Sequence, residues 1–343
     1  MISFRILTLS AATALLLTGL PSVAVAAEMP GDACATEGQI RPLGSGSIQC
    51  VSGVWQPSTL SPASPTAPTS SSNAKTAKIF APVGVALSQA TFGSTGKQVA
   101  DATAFLLPSG QVRLFAFVND TTGLPGLRSA TSTSKTGLTF TNDGTNPFPG
   151  TPVGQPRAVA LGGNSLRLFF VEGGNVNSAV SSDGGATFAR EGTVLTTEQA
   201  GFEPGVITVI KHKGVYRAYF SNLEKPGERA QRVMKTATSP DMLHWTVGPT
   251  VVAQGGSHPF AVTDKTGKVA LYYAADRGST YGIFVSTSKD GINFSKEKFV
   301  MAGSADQDII KLSNGKALMY YGADLGAEGF GVKVARAVGN IIP

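Results

Sequence analysis

Ser181-Ser182-Asp183-Gly184-Gly185-Ala186-Thr187-Phe188 decides the fold. It reads Ser-x-Asp-x-Gly-x-Thr-aromatic at every position. Altered copies follow as Ser239-Pro240-Asp241-Met242-Leu243-His244-Trp245 and Ser288-Lys289-Asp290-Gly291-Ile292-Asn293-Phe294. A worn copy precedes them as Ser134-Lys135-Thr136-Gly137-Leu138-Thr139-Phe140. The copies stand about fifty residues apart with strand-like flanks, which is the repeat signature of propeller blades. The motif has the chemistry of a turn. Its Asp accepts backbone N–H groups, a glycine takes an unusual dihedral, and the aromatic packs between repeats. Asp183, Asp241 and Asp290 therefore read as structural, not catalytic.

Outward from these turns, five segments from Lys78 onward share one layout. Each opens on a polar residue, runs through an apolar strand, turns at Gly or Asn and enters an aromatic-rich strand. Those second strands, at 112–118, 166–171, 215–220, 269–273 and 317–321, are apolar at nearly every position. Sheets covered on both faces need that pattern, not alternation. Third strands follow at 127–131, 176–180, 233–238, 283–287 and 332–337. The fifth segment ends at Pro343 without a fourth strand, while 79–92 is strand-like and has no partners of its own. It is predicted to complete the last blade and close the ring, which removes exposed sheet edges. The expected fold is all-β: a five-bladed β-propeller over 78–343, preceded by a small disulfide-containing module and a disordered linker.

The first 27 residues read as an export signal. Arg5 supplies the basic start, residues 6–20 the apolar core, and Ala24-Val25-Ala26 the small-residue cleavage pattern. No later run is long and apolar enough to cross a bilayer, so the mature chain is expected to be secreted or periplasmic, with no transmembrane span. Residues 28–57 form a small module holding the only two cysteines, Cys34 and Cys50. In an oxidising compartment pairing is the default, closing a loop of about sixteen residues worth roughly 3 kcal/mol. Residues 58–77, rich in Ser, Pro, Thr and Ala, cannot bury enough surface to order themselves and read as a linker.

The formal net charge is +6, and signal cleavage removes only Arg5 from it. The basic residues are scattered, which excludes a concentrated nucleic-acid footprint. The sequence carries no P-loop, dinucleotide fingerprint, His-Glu-x-x-His or Gly-x-Ser-x-Gly. No cofactor and no metal ligand set are assigned, and an axial calcium ion is left open. The partner expected is a glycan or a cell-envelope ligand, bound by a monomer.

Function in a propeller lies where the innermost strands begin, around the axis. Those starts are Asp101, Gln155-Pro156-Arg157, Glu203-Pro204, His258-Pro259 and Asp306-Gln307-Asp308. A ring of Asp101, Arg157, Glu203, His258, Asp306 and Asp308 makes a polar ligand site. Of the other histidines, His212 in Lys211-His212-Lys213 reads as a solvated loop and His244 as turn surface.

The repeated turn resembles the Asp box of sialidases and related propellers. The sialidase family itself is a poor match, because no Arg-Ile-Pro signature is present. Phe202-Glu203-Pro204-Gly205-Val206-Ile207, followed by Gly214-Val215-Tyr216-Arg217-Ala218-Tyr219-Phe220, resembles the third blade of five-bladed glycoside hydrolases of the arabinanase, xylosidase and invertase-like families. Val99-Ala100-Asp101-Ala102 is similar to their first-blade aspartate. The resemblance implies Glu203 as general acid and Asp101 as base or nucleophile, with Arg157, His258, Asp306 and Asp308 as subsite contacts. Such chemistry needs two carboxylates flanking the glycosidic bond. The chain departs from that pattern in two places. Gly154-Gln155-Pro156-Arg157-Ala158 carries no second-blade acid, and Asp101 lacks the following proline. A glycoside hydrolase and a non-catalytic glycan- or partner-binding surface protein therefore both stay open, beside a scaffold. Cys34-x15-Cys50-x4-Trp55 resembles tip modules of bacterial minor pilins, which implies surface recognition; a disulfide-pinned hairpin is the alternative.

Overall fold

The computed structural model describes residues 40–43, 46–52, 54–58, 78–96, 98–119, 125–149, 151–223, 232–252, 255–278 and 280–343. The signal segment, Cys34 with its pairing to Cys50, and the linker from residue 59 to 77 lie outside the described residues. The chain divides into two compact units, Met1–Ser71 and Ser72–Pro343. In the first, β1 (Ile40–Leu43), β2 (Gly46–Val51) and β3 (Val54–Ser58) form an antiparallel meander in which Cys50 stands opposite Trp55.

The regular structure of the second unit is almost entirely strand. It opens with β4 (Phe80–Leu87) and a one-turn helix, α1 (Gln89–Phe92). Next come β5 (Gln98–Leu106), β6 (Val112–Asn119), β7 (Gly126–Ser132) and β8 (Phe140–Asn142). After them come β9 (Gly154–Gly162), β10 (Ser165–Glu172), β11 (Asn175–Ser181) and β12 (Ala189–Leu195). A second one-turn helix, α2 (Thr197–Ala200), starts on Thr196, whose side chain accepts from the Gln199 amide. Then follow β13 (Pro204–His212), β14 (Val215–Asn222), β15 (Met234–Ser239) and β16 (Thr246–Val252). β17 (Gly256–Thr263), β18 (Val269–Asp276), β19 (Tyr281–Ser288) and β20 (Lys298–Ala302) form the next set. β21 (Ser304–Lys311), β22 (Ala317–Asp324) and β23 (Phe330–Ala337) close the chain.

Among the described residues, β9–β12, β13–β16 and β17–β20 are separate four-stranded antiparallel sheets. An eight-stranded sheet joins β5–β8 to β21–β23 plus β4 through one parallel pair, Phe330 with Gln98. β4 lies antiparallel on β23, with Val332 opposite Leu87 and Ala337 opposite Phe80. The N-terminal strand thus completes the last meander, as expected from its lack of local partners.

The first strands of the meanders pack beside one another in a closed cycle: β5 on β9, β9 on β13, β13 on β17, β17 on β21, and β21 on β5. Buried apolar side chains fall into five clusters, each shared by two neighbouring meanders. This explains the unbroken apolar runs: in β18 and β22 every residue but the last is buried.

The repeated turns fasten neighbours together. Asp183 Oδ1 accepts from the amides of Ala186 and Thr187, and Oδ2 from the Thr187 hydroxyl. Asp241 and Asp290 cap their turns in the same way, through Leu243 and His244 and through Ile292 and Asn293. The turn aromatics meet buried rings of the preceding meander edge-on: Phe188 on Phe115, Trp245 on Phe169, Phe294 on Tyr219 and Phe140 on Tyr320. Such pairs add about 0.5–1.5 kcal/mol each beyond the area they bury. The last meander has no such turn, and the start of β4 and the C-terminal segment supply its parts. Phe80 of β4 meets Tyr272, whose hydroxyl donates to the Ile341 carbonyl.

His212 corrects one expectation. It is 2% exposed at the end of β13, with Nε2 3.0 Å from the Gly267 carbonyl, not solvated in a loop. Strand alternation sends Lys211 and Lys213 outward and the imidazole inward. Burial, the largest influence, pushes its pKa down from the ordinary 6.5. His244, by contrast, is exposed and bonded to Asp241 within its turn.

Candidate functional site

Every first strand is broken by a bulge. The pairing register slips between Ala100 and Thr103 on β5, opposite Phe169 and Val171 on β9, between Pro204 and Ile207 on β13, between Ser257 and Phe260 on β17, and between Ala305 and Asp308 on β21. A bulge leaves a residue outside the ladder and re-aims its side chain. Four of these residues carry left-handed backbone: Asp101 (φ 53°), Gln155 (φ 51°), His258 (φ 50°) and Asp306 (φ 53°). Asp and His tolerate that region better than most residues, and such strain gathers at functional sites. On β13 the slip holds Gly205 and Val206, neither left-handed.

The four re-aimed residues line one open cavity of 360 Å³. Gln98, Tyr281, Ser304 and Phe330 are also in its wall. The donor atoms of Asp101, His258 and Asp306 all lie within 4.8 Å of one another. His258 Nε2 stands 3.2 Å from Asp306 Oδ1 and 3.7 Å from Asp101 Oδ1. Its other nitrogen, Nδ1, is 3.2 Å from Ser257 Oγ, which accepts from Arg232 Nη1 at 2.6 Å. Gln307 Nε2 donates to the His258 carbonyl. Gly322 leaves room for this crowd: a Cβ there would stand 2.8 Å from Asp306 Oδ2 and 2.7 Å from the Phe330 ring.

Two residues further along the strands, the polar groups are sealed. Arg157 and Asp308 are each 3% exposed and paired, Nη1 to Oδ2, at 2.8 Å. Arg157 also donates to the carbonyls of Gln307 and Pro259 and lies over the Phe260 ring. The Thr103 hydroxyl donates to Asp308 Oδ2 and accepts from the Ala158 amide. Burial pushes the Asp308 carboxyl up, and the Arg157 charge and Thr103 hydroxyl pull it back. This layer stitches four meanders together and is not part of the cavity wall.

Of the six residues singled out in the sequence, the structure thus brings Asp101, His258 and Asp306 together at the cavity and puts Arg157 and Asp308 in the sealed layer. Glu203 is in neither place. It is half-buried just before β13, its Oε1 3.2 Å from where a Cβ on Gly174 would sit, in the β10–β11 turn. Gln98 and Tyr281 carry no sequence signal, and in the expected start Gln155-Pro156-Arg157 it is Gln155, not Arg157, that lines the cavity. The bulge on β9 aims Gln155 inward, while Gln98 and Tyr281 reach the wall from the first residues of β5 and β19.

No protein-family profile matches the sequence. No curated protein matches it either. Solved structures do. An endo-1,4-β-xylanase from Bacteroides thetaiotaomicron aligns at TM-score 0.56 and 12% identity, over 72% of this chain and 96% of that one. An α-L-arabinofuranosidase from Podospora anserina, solved with cellotriose, aligns at 0.56 and 11%, over 76% and 97%. A thermostable family-43 glycoside hydrolase aligns at 0.54 and 11%, over 73% and 96%. The chain has the β-propeller fold of glycoside hydrolases. At such identities the likeness is one of fold, and the site must carry the function.

Proposed function

We propose that the second unit is a five-bladed propeller and that its axial cavity binds a glycan. One observation carries this reading: an open 360 Å³ cavity whose wall combines Asp101, Asp306, His258 and the amides of Gln98 and Gln155 with the rings of Tyr281 and Phe330. Carboxylates and amides bond sugar hydroxyls, and aromatic faces take the apolar side of a pyranose. A few convergent polar groups in an otherwise shaped cavity is the general form of a small-ligand site. Arg157 and Asp308, bonded to each other, would support the cavity and leave contact with ligand to the bulge residues.

Hydrolysis is the second reading, favoured by the spacing of Asp101 and Asp306. Their nearest oxygens lie within 4.8 Å, close to the ~5–5.5 Å of retaining carboxyl pairs. In that reading Asp101 is the base or nucleophile, as the resemblance implied. The acid is either Asp306 beside it or Glu203, brought in by movement of the segment before β13. Export, the Cys34–Cys50 bond and a monomeric state belong to the same proposal and rest on the sequence.

The experiment offers the full-length protein a panel of oligosaccharides and polysaccharides and follows both binding and sugar release. Saturable binding that Asp101→Asn and Gln155→Ala weaken at least tenfold supports the cavity. Release abolished by Asp101→Asn makes the protein a hydrolase, and Glu203→Gln then decides between the two acids. A folded protein that neither binds nor cleaves any glycan removes the proposal.

A further inference from the structure

We propose that Asp101, His258 and Asp306 form a site for a first-row divalent cation of the Zn²⁺ or Mn²⁺ class. One imidazole nitrogen and two carboxylate oxygens, from three different meanders, converge within 4.8 Å at the cavity wall. Around an ion bound at about 2.1 Å, adjacent donors stand roughly 3.0–3.4 Å apart. His258 Nε2 and Asp306 Oδ1 already meet that at 3.2 Å. Asp101 Oδ1, at 3.7 Å from the imidazole and within 4.8 Å of Asp306, moves inward to complete the set. Asp101 is also the least buried of the three.

The surroundings of His258 point the same way. A metal-ligating histidine keeps its second nitrogen on a fixed partner, which sets the tautomer and aims the lone pair. Here Nδ1 faces Ser257 Oγ, and Arg232 donates to that oxygen and holds it in place. With Nδ1–H on Ser257, the Nε2 lone pair points between Asp101 and Asp306. Two carboxylates and a lone pair then face one another, and a cation is what such an arrangement stabilises. Arg157, the guanidinium of the next layer, is committed to Asp308. Gln155 lines the same cavity with its Oε1 buried and lacking a hydrogen-bond partner.

The donor set also selects the ion. Calcium takes six to eight oxygen ligands and gains little from imidazole, so these residues do not fit it. Imidazole with carboxylates suits zinc, manganese and their neighbours, and the cavity leaves space for waters or sugar hydroxyls on the open positions. A bound ion turns Asp101 into a ligand and offers vicinal hydroxyls a chelating centre. The site rests on its own donors and stands whether or not a glycan enters.

The test strips the full-length protein of metal with a chelator, then titrates Zn²⁺, Mn²⁺ and Ca²⁺ by calorimetry without sugar. The expected result is one Zn²⁺ or Mn²⁺ per chain, weakened at least tenfold by His258→Gln and by Asp306→Asn and unchanged by Asp183→Asn. Co²⁺ should give visible absorption bands that His258→Gln abolishes. If either buried variant fails to fold, Asp101→Asn carries the comparison, with circular dichroism reporting the fold. No one-to-one binding, binding of Ca²⁺ alone, or equal affinity in the site variants overturns the site. Because sugar is absent throughout, such a failure leaves the glycan reading to be judged by its own experiment.

Discussion

Tyr320 donates its hydroxyl to the carbonyl of Gly137 at 2.8 Å, across 183 residues of chain. One residue sits in the last meander and the other in the turn of the first, so this bond belongs to the closure of the ring. Its counterparts lie at other junctions. Tyr219 donates to the Gly291 carbonyl, Arg113 to that of Gly184, and Arg167 to that of Asp241. A worn turn that lacks its Asp still serves as an anchor, because what the neighbour grips is the turn's backbone.

Removing this latch should cost stability without touching the cavity. Tyr320→Phe leaves the Gly137 carbonyl without its buried donor, a loss of about 1–3 kcal/mol. Gly137→Ala should cost more. Its φ is +66°, and a Cβ would meet Tyr320 Oη at 2.7 Å and Leu318 at 2.9 Å. Gly144→Ala is the control, with a similar φ of +71° and nothing within 4 Å. Chemical denaturation of the three variants checks the order, and a Gly137→Ala no worse than Gly144→Ala would refute the packing argument.

The Arg157–Asp308 pair should behave as a buried ion pair. Removing one partner leaves an uncompensated charge, and Arg157→Met alone should destabilise by about 3–5 kcal/mol. Asp308→Asn should cost at least as much, since the amide still accepts from Thr103 but the buried Arg157 guanidinium cannot shed its charge. The double variant Arg157→Met, Asp308→Leu should lose less than the two single losses combined. A double-mutant cycle measured by denaturation gives the coupling. Additive losses would mean the two side chains act separately.

Much of the architecture was legible because it is written in repeats. The Asp turns, the unbroken apolar strands 269–273 and 317–321 and the partnerless run at 79–92 each had a local signature. The site was half legible for one reason. Polar residues ahead of each inner strand could be found, but their direction depends on a single slipped residue per strand. That slip aims Asp101, His258 and Asp306 at the cavity and sends Arg157 and Asp308, two residues on, into the sealed layer. Glu203 stands one residue before its strand and three before Val206, and finishes against Gly174. The lysines on either side of His212 are solvated, and period-two alternation buries the histidine between them, which the local composition does not signal.

Acid should loosen the molecule through its turns. Hydrogen bonds from turn amides and side chains hold Asp183, Asp241 and Asp290 well below the ordinary carboxylate value of 3.8. Below that value the unfolded chain binds protons that the folded turns refuse. The stability these groups contribute is therefore complete above about pH 4 and is lost as the pH falls further toward their folded pKa values. Melting temperatures between about pH 6 and pH 2.5 should fall steeply at the acid end. Asp183→Asn should start lower and fall less steeply, because one proton-linked group is gone. A parallel curve would show that Asp183 contributes no proton linkage.

Gly322→Ala separates the cavity from the fold. Gly322 lies within β22, opposite Ala305 and Val332, with φ outside the left-handed region, so alanine meets no backbone objection. The added methyl would stand 2.8 Å from Asp306 Oδ2 and 2.7–2.8 Å from the Phe330 ring, both of which line the cavity. Something must yield, and the ring and the carboxylate are the groups with open space beside them. Overpacking of this kind costs about 1–3 kcal/mol. The larger effect should be on Asp306, turned away from His258, so ligand or cation affinity should fall at least tenfold while the circular dichroism spectrum holds. If affinity survives and only stability drops, then Asp306 keeps its place and the strain is absorbed by Phe330 alone.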